Sequence, residues 1–119
     1  MSMRMAAKTA LHSSFKQHRV GAVIVKGGNI LSTGYNSRQP SSVLGTPTRH
    51  AEASAILKLM KEQRQHELVG SSIYVTRFTA GGRVGLARPC HHCMGLIRAS
   101  GLKRIYYTTT DGKTERITL

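Results

Sequence analysis

The apolar positions fall into runs with two different periods. Val20-Gly21-Ala22-Val23-Ile24-Val25 is an unbroken, largely β-branched run, the pattern of a strand covered on both faces. Gly27-Gly28 then marks a turn, and Asn29 to Tyr35 reads as a second strand returning antiparallel to the first. Ahead of this hairpin, Ser2 to Phe15 predicts a helix whose rough apolar stripe is Met5, Ala6, Ala10, Leu11 and Phe15. Beyond it, a helix is predicted from near His50 to about Gln65. Ala53, Ile56, Leu57 and Met60 form its buried face, while Lys58, Lys61, Glu62 and Arg64 point outward. Ser72 to Phe78 reads as a third strand. A third helix opens at Pro89-Cys90, where proline suits the first turn. It carries Leu96 and Ile97 inward and ends at Gly101. Lys103 to Thr110 is the fourth strand, and Asp111-Gly112 turns the chain into a short last strand, Thr114 to Leu119. Two stretches break the pattern. One is Asn36 to Thr48, with Pro40, Ser41, Ser42, Gly45 and Pro47; the other is the glycine- and arginine-rich stretch Thr79 to Arg88.

The order is helix, strand, strand, helix, strand, helix, strand. Strands joined through helices favour parallel pairing by right-handed crossovers. The expected fold class is therefore three-layer α/β. Its mixed sheet has four to five strands, with an antiparallel N-terminal hairpin and parallel later strands. At 119 residues, with no repeat or linker, residues 1–119 read as a single domain.

Composition narrows the partners. Eighteen Lys and Arg against five Asp and Glu give a formal net charge of +13, which favours an anion: a nucleotide phosphate, a polynucleotide or an acidic surface. No apolar run approaches a membrane span, and no signal-peptide core precedes the first helix, so no membrane partner is expected. Two cysteines make no secreted disulfide framework. A reducing, cytoplasmic setting is expected.

Those cysteines, Cys90 and Cys93, stand in Pro89-Cys90-His91-His92-Cys93. Cys-x-x-Cys alone fits either a redox dithiol or a zinc site. His50-Ala51-Glu52 upstream favours zinc, because one imidazole and two thiolates make three ligands. Three ligands leave the fourth tetrahedral position for water, as in catalytic sites. Glu52 is then free to move protons. Both motifs fall at predicted helix starts, whose partial positive charge is expected to favour the thiolates of Cys90 and Cys93.

His50-Ala51-Glu52 followed by Pro89-Cys90-x-x-Cys93 resembles the zinc signature of the cytidine and deoxycytidylate deaminase superfamily. The likeness runs from about Val20 to Asp111 and is nearest in character to the deoxycytidylate deaminase-like branch. It implies a cytidine deaminase-like fold, a bound Zn2+, a homo-oligomer, and hydrolytic deamination of cytosine or, in the tRNA branch, adenine. Carried over by residue, His50, Cys90 and Cys93 are the metal ligands and Glu52 is the proton shuttle. Asn36, in Gly34-Tyr35-Asn36, is a sugar contact, and the N–H groups of Ala51 and Cys90 lie near the reacting edge of the base. The chain departs from many relatives at Ser54, where asparagine is common, and at Thr79 to Arg88, which intervenes before Pro-Cys. Phe78 is the candidate to pack on the base and Arg88 a candidate substrate contact.

Other readings stand beside these. His91 and His92 are alternative ligands or exposed groups, and Asn36 has a purely strand-ending role available to it. Arg38, Arg49, Arg77, Arg83 and Arg88 all rim the expected site, and nothing in the sequence chooses a phosphate contact among them. His12, His18 and His66 read as surface histidines. The leading function is zinc-dependent deamination of a free (deoxy)cytidine nucleotide such as dCMP or dCTP, releasing ammonia. The alternatives are a deaminase of cytosine or adenine in RNA or single-stranded DNA, and a non-catalytic zinc-stapled module that binds nucleic acid.

Overall fold

The computed structural model describes residues 2–39 and 48–119, and the account below is confined to them. The predicted irregular stretch at Pro40, Ser41, Ser42, Gly45 and Pro47 lies outside the described residues. The elements in order are α1 (Ser2–Ala10), β1 (His18–Lys26), β2 (Asn29–Tyr35), α2 (Ala51–Lys61), a single 3-10 turn (Gln65–Leu68), β3 (Ser72–Thr79), β4 (Val84–Gly85), α3 (His91–Ala99), β5 (Arg104–Thr108) and β6 (Thr114–Thr118).

They build one mixed sheet in the order β2-β1-β3-β5-β6, with the two-residue β4 pairing on β3 beyond the end of β5. The predicted hairpin is present: Lys26 faces Asn29 across Gly27-Gly28, whose φ values of 57° and 81° are the left-handed turn geometry that glycine adopts without strain. β3 and β5 are parallel, as the crossover through α3 requires. β1 is antiparallel to both its neighbours, and β6 is antiparallel to β5. Six strands thus replace the expected four to five. β4 accounts for the extra one, because the stretch from Thr79 to Arg88 is not the predicted loop. Gly82, with φ 78°, folds it back as a hairpin in which Arg77 faces Gly85 and Phe78 faces Val84.

Three layers follow from two glycines on opposite faces of the sheet. A Cβ at Gly21 would overlap the Ala6 carbonyl and Ala10 amide of α1, and one at Gly34 would overlap the Ala51 carbonyl and Ala55 amide of α2. Gly34 pairs with Ala22, and Gly21 with Tyr35, so the two contacts lie on opposite faces. α2 and α3 pack side by side on one face. The main core lies beneath them: Ala22, Ile24, Ile73, Val75 and Ile105 from the sheet meet Ala55, Ile56, Leu59, Cys93 and Ile97 from the helices.

This alanine-on-glycine packing corrects two helix readings. α1 ends at Ala10; Leu11 is 60% exposed, and Phe15 belongs to the following turn, where its N–H donates to Ser13 Oγ at 3.1 Å. In α2 the buried face runs through Ala51, Glu52, Ala55, Ile56 and Leu59, while Leu57 is half-buried and Met60 is 43% exposed. The helix rolls to bring its small residues against Gly34, and Ser32 Oγ fixes that position by donating to the Ala55 carbonyl at 2.8 Å. No described helix is long and apolar enough to cross a membrane.

Because α2 is seated on Gly34, Gly34→Ala is expected to cost about 1–3 kcal/mol and to weaken metal binding at His50 as well. Gly21→Ala, under α1, is expected to cost similar stability while leaving metal affinity unchanged. Urea unfolding with chelator competition reads both quantities, and an equal loss of metal affinity in the two variants would contradict this division of roles.

Candidate active site

Each helix start supplies part of the site. His50 is the N-cap of α2, with extended backbone at φ −81° and ψ 154°, and Cys90 is the N-cap of α3, at φ −70° and ψ 169°. An N-cap residue leaves the helix direction at its own Cα, so both side chains project into the cleft between the two helices. Cys93 joins them from the first turn of α3 and is fully buried. His50 Nδ1 lies 3.2 Å from Cys93 Sγ and 3.6 Å from Cys90 Sγ, and the three ligand atoms all fall within 4.8 Å of one another. Around one tetrahedral zinc, with bonds of about 2.0–2.3 Å, such atoms stand about 3.3–3.8 Å apart. The residues therefore fit the ion. His91 and His92, whose rings lie 4.0 Å apart, are exposed on α3 and stay outside this group.

The electrostatics suit a ligand set with an acid beside it. Burial, then His92 and His18, lowers the pKa of His50 and keeps the imidazole neutral, the form that binds metal. Glu52, in the first turn of α2, is only 6% exposed, and burial pushes its carboxyl up to about 7. A carboxyl poised there both accepts and returns a proton near neutrality. For Cys93 the expected lowering by the helix start does not prevail. Burial, with Glu52 and Cys90 close by, pushes its thiol up, and a hydrogen bond from the Ala53 amide offsets only part of this.

These groups open into a cavity of about 350 Å³ lined by Phe15, His18, Val20, Asn36, Thr48, His50, Ala51, Glu52, Arg77, Leu86, Ala87, Arg88 and Cys90. Of the sequence-predicted substrate contacts, Asn36, Ala51 and Arg88 are brought together here. Asn36 is 6% exposed and already tied to β1: its Oδ1 accepts from Val20 N–H at 2.9 Å, and its Nδ2 donates to the His18 carbonyl at 3.0 Å. Its strand-fastening role is thus real, and one lone pair and one N–H remain for a ligand. Phe78 is not brought to the cavity. The β3–β4 pairing turns it into a separate hollow with Leu11, Lys16 and Arg19. Ser54 also faces away, lining another hollow with Arg49 and Lys58.

The cavity's aromatic wall comes instead from the turn before β1. Phe15 stacks on His18 with centroids 4.8 Å apart and planes 23° apart, and the Arg38 guanidinium lies over the Phe15 ring at 4.8 Å. Sequence reasoning placed Phe15 in a helical stripe and His18 on the surface. The available signal was position, since both flank the start of the strand that Asn36 fastens.

Three ligands that leave one coordination position, with a buried carboxyl beside them, define a zinc enzyme that activates water. The model of the cytidine and deoxycytidylate deaminase zinc-binding region matches residues 1–109. The deoxycytidylate deaminase of Mycobacterium phage D29 is 31% identical over 127 residues, taking in 87% of this chain and 88% of that protein. A tRNA-specific adenosine deaminase of Haemophilus influenzae is 35% identical over 99 residues, taking in 82% of this chain but 50% of that protein. Among solved structures, the dCMP deaminase of cyanophage S-TIM5 superposes with a TM-score of 0.69 at 30% identity, over 93% of this chain and 82% of that one. Its complex with dCMP and dUMP gives 0.68 at 28%, over 92% and 82%. The chain belongs to the cytidine and deoxycytidylate deaminase family, and it is a zinc-dependent deaminase.

A raised Cys93 pKa means that metal binding must expel the thiol proton. Zinc affinity is therefore expected to rise by about tenfold or more per pH unit between pH 6 and 8, as measured by competition with a chelator of known proton linkage. An affinity independent of pH over that range would contradict a protonated Cys93 in the metal-free protein.

Proposed function

We propose that the protein hydrolytically deaminates the cytosine base of a free deoxycytidine nucleotide, of the dCMP or dCTP kind, to the uracil form with release of ammonia. The observation that carries this reading is Glu52. It is a buried acid two residues from a ligand histidine, lining the same cavity as His50 and Cys90. A structural zinc site has no use for a desolvated carboxyl, and burying one without a function costs stability. The D29 and S-TIM5 relatives, named for deoxycytidylate and dCMP, support the choice of base and sugar.

Zinc held by His50, Cys90 and Cys93 supplies Lewis-acid activation of the attacking water. Glu52 takes a proton from that water as its oxygen adds to the amino-bearing carbon of the ring, and passes it to the adjacent ring nitrogen. A second proton, moved by the same carboxyl, reaches the exocyclic amine. The C–N bond then breaks, ammonia leaves, and the carbon keeps the oxygen as a carbonyl. The Ala51 N–H, in the first turn of α2, has no partner within the helix and lies at the cavity wall. It is placed to receive an oxygen on the substrate. Asn36 uses its remaining hydrogen-bonding capacity on the sugar, and Phe15 takes the packing role expected of Phe78.

A polynucleotide substrate is the second reading. It is favoured by the +13 net charge and by the likeness to the Haemophilus influenzae tRNA deaminase, of which the chain spans half the length.

The test is ammonia release by zinc-replete protein on dCMP, dCTP, cytidine, a cytosine-bearing oligodeoxynucleotide and an adenosine-bearing tRNA stem-loop. Turnover of dCMP or dCTP is expected, and turnover of polymers alone would overturn the reading. Glu52→Ala is expected to keep its zinc and lose roughly 100- to 10,000-fold in rate. A fully active Glu52→Ala enzyme would refute the proton shuttle.

A further inference from the structure

Of the five arginines that rim the site in sequence, the fold sorts three away from the cavity and fixes two in its wall. Arg38 lies over Phe15, Arg49 lines the hollow with Lys58, and Arg83 sits exposed at the β3–β4 turn, its carbonyl accepting from the Thr79 N–H at 2.8 Å. Arg77 and Arg88 line the cavity itself.

Both side chains are exposed along the cavity wall, and the backbone that carries each is anchored. Arg77, on β3, faces Gly85 on β4. The Arg77 stem runs alongside Gly85, its Cδ and Cγ 3.5 and 3.6 Å from where a Cβ there would stand. Buried Thr108 of β5 pins this pair of strands. Its Oγ1 donates to the Gly85 carbonyl at 2.9 Å and accepts from the Arg77 N–H at 3.3 Å, while its carbonyl accepts from the Ala87 N–H at 2.9 Å. Arg88 follows Ala87, whose N–H is the one held by the Thr108 carbonyl. Close by, the buried Tyr107 hydroxyl donates to Glu115 Oε2 at 2.8 Å, and the Arg88 charge is felt at that hydroxyl. Glu115 is one of only five acidic residues in the chain.

Glu52 is the one acid among the cavity-lining residues, and it sits at the metal end. Two guanidiniums held in the wall of such a cavity match the charge and planar oxygen geometry of a phosphate, which guanidinium forks bind in bidentate fashion. We propose that Arg77 and Arg88, which line the cavity on either side of the β3–β4 hairpin, form a phosphate-reading pair that restricts the free substrate to a phosphorylated nucleotide. This rests on the deaminase reading above and adds the residues that read the far end of the substrate. The hairpin from Thr79 to Arg88 is the specificity element, since Arg77 and Arg88 flank it.

The phosphate could be the monoester of a free nucleotide or a diester within a strand, and the assay has an arm for each. kcat/KM is measured on dCMP, on deoxycytidine and on a short single-stranded oligodeoxynucleotide with one cytosine. The wild-type protein is expected to prefer dCMP over deoxycytidine by at least about 100-fold. Arg77→Gln and Arg88→Gln are each expected to cut that preference by roughly 10- to 100-fold. Arg83→Gln, at the exposed β3–β4 turn, is expected to retain it. Arginine variants that lose dCMP and deoxycytidine turnover in equal proportion would overturn the proposal. A wild-type preference for the oligonucleotide that depends on the two arginines would overturn the monoester assignment. Absence of turnover on every free nucleotide would instead sink the proposed function. The pair is then judged by calorimetry of dUMP and deoxyuridine with the zinc-loaded protein: a dUMP preference lost in Arg88→Gln sustains it, and no preference overturns it.

Discussion

The meeting of two helix starts is the constraint on which the rest of this structure depends. A catalytic zinc needs three ligands converging on one point and a fourth direction left open. Here the ligands come from the starts of α2 and α3, which the chain separates by the 3-10 turn, β3 and β4. Nothing local holds His50 near Cys93. Their approach to 3.2 Å follows from both helices lying on one face of the sheet with their N-termini aligned, and α2 is set in that plane by the contact of Ala51 and Ala55 with Gly34. A sheet position without a side chain thus acts at a distance on the metal site.

The same convergence buries Glu52, and desolvation is the leading cause of its raised pKa, opposed only in part by a backbone hydrogen bond. Ligand and acid are two residues apart at one helix start, so the geometry that closes the metal site also desolvates Glu52. The far end of the cavity obeys a different logic. There Arg77 and Arg88 line the wall, and the Arg77 N–H donates to Thr108 Oγ1 of β5. The metal end and the arginine end of the cavity therefore rest on separate parts of the sheet.

Much of this was legible in the sequence, for identifiable reasons. The metal ligands were readable because their chemistry demands those residue types at that spacing, and Glu52 stood out as an acid two residues from His50. The first hairpin was readable because Gly27-Gly28 forces a tight turn between β-forming runs. The parallel β3–β5 pair followed from the intervening helix. What escaped was governed by contacts that leave no periodic trace. The roll of α2 is set by alanines on a glycine, so a search for large apolar residues picked Met60 and passed over Leu59. β4 is two residues long and pairs through backbone, which no hydropathy window detects. Its register is nevertheless what turns Phe78 away from the cavity and Arg77 toward it. Phe15 and His18 reach the site from a turn that resembles the end of a helix.

The most direct measurement of the central claim, an open three-ligand metal site made by two helix starts, is zinc X-ray absorption on the loaded protein. The account expects two sulfur scatterers at about 2.3 Å and two light scatterers at about 2.0–2.1 Å, with the nitrogen shell holding a single imidazole and the remaining oxygen exchangeable. Two imidazoles alongside the two sulfurs, recruiting His91 or His92 into a closed site, would contradict it.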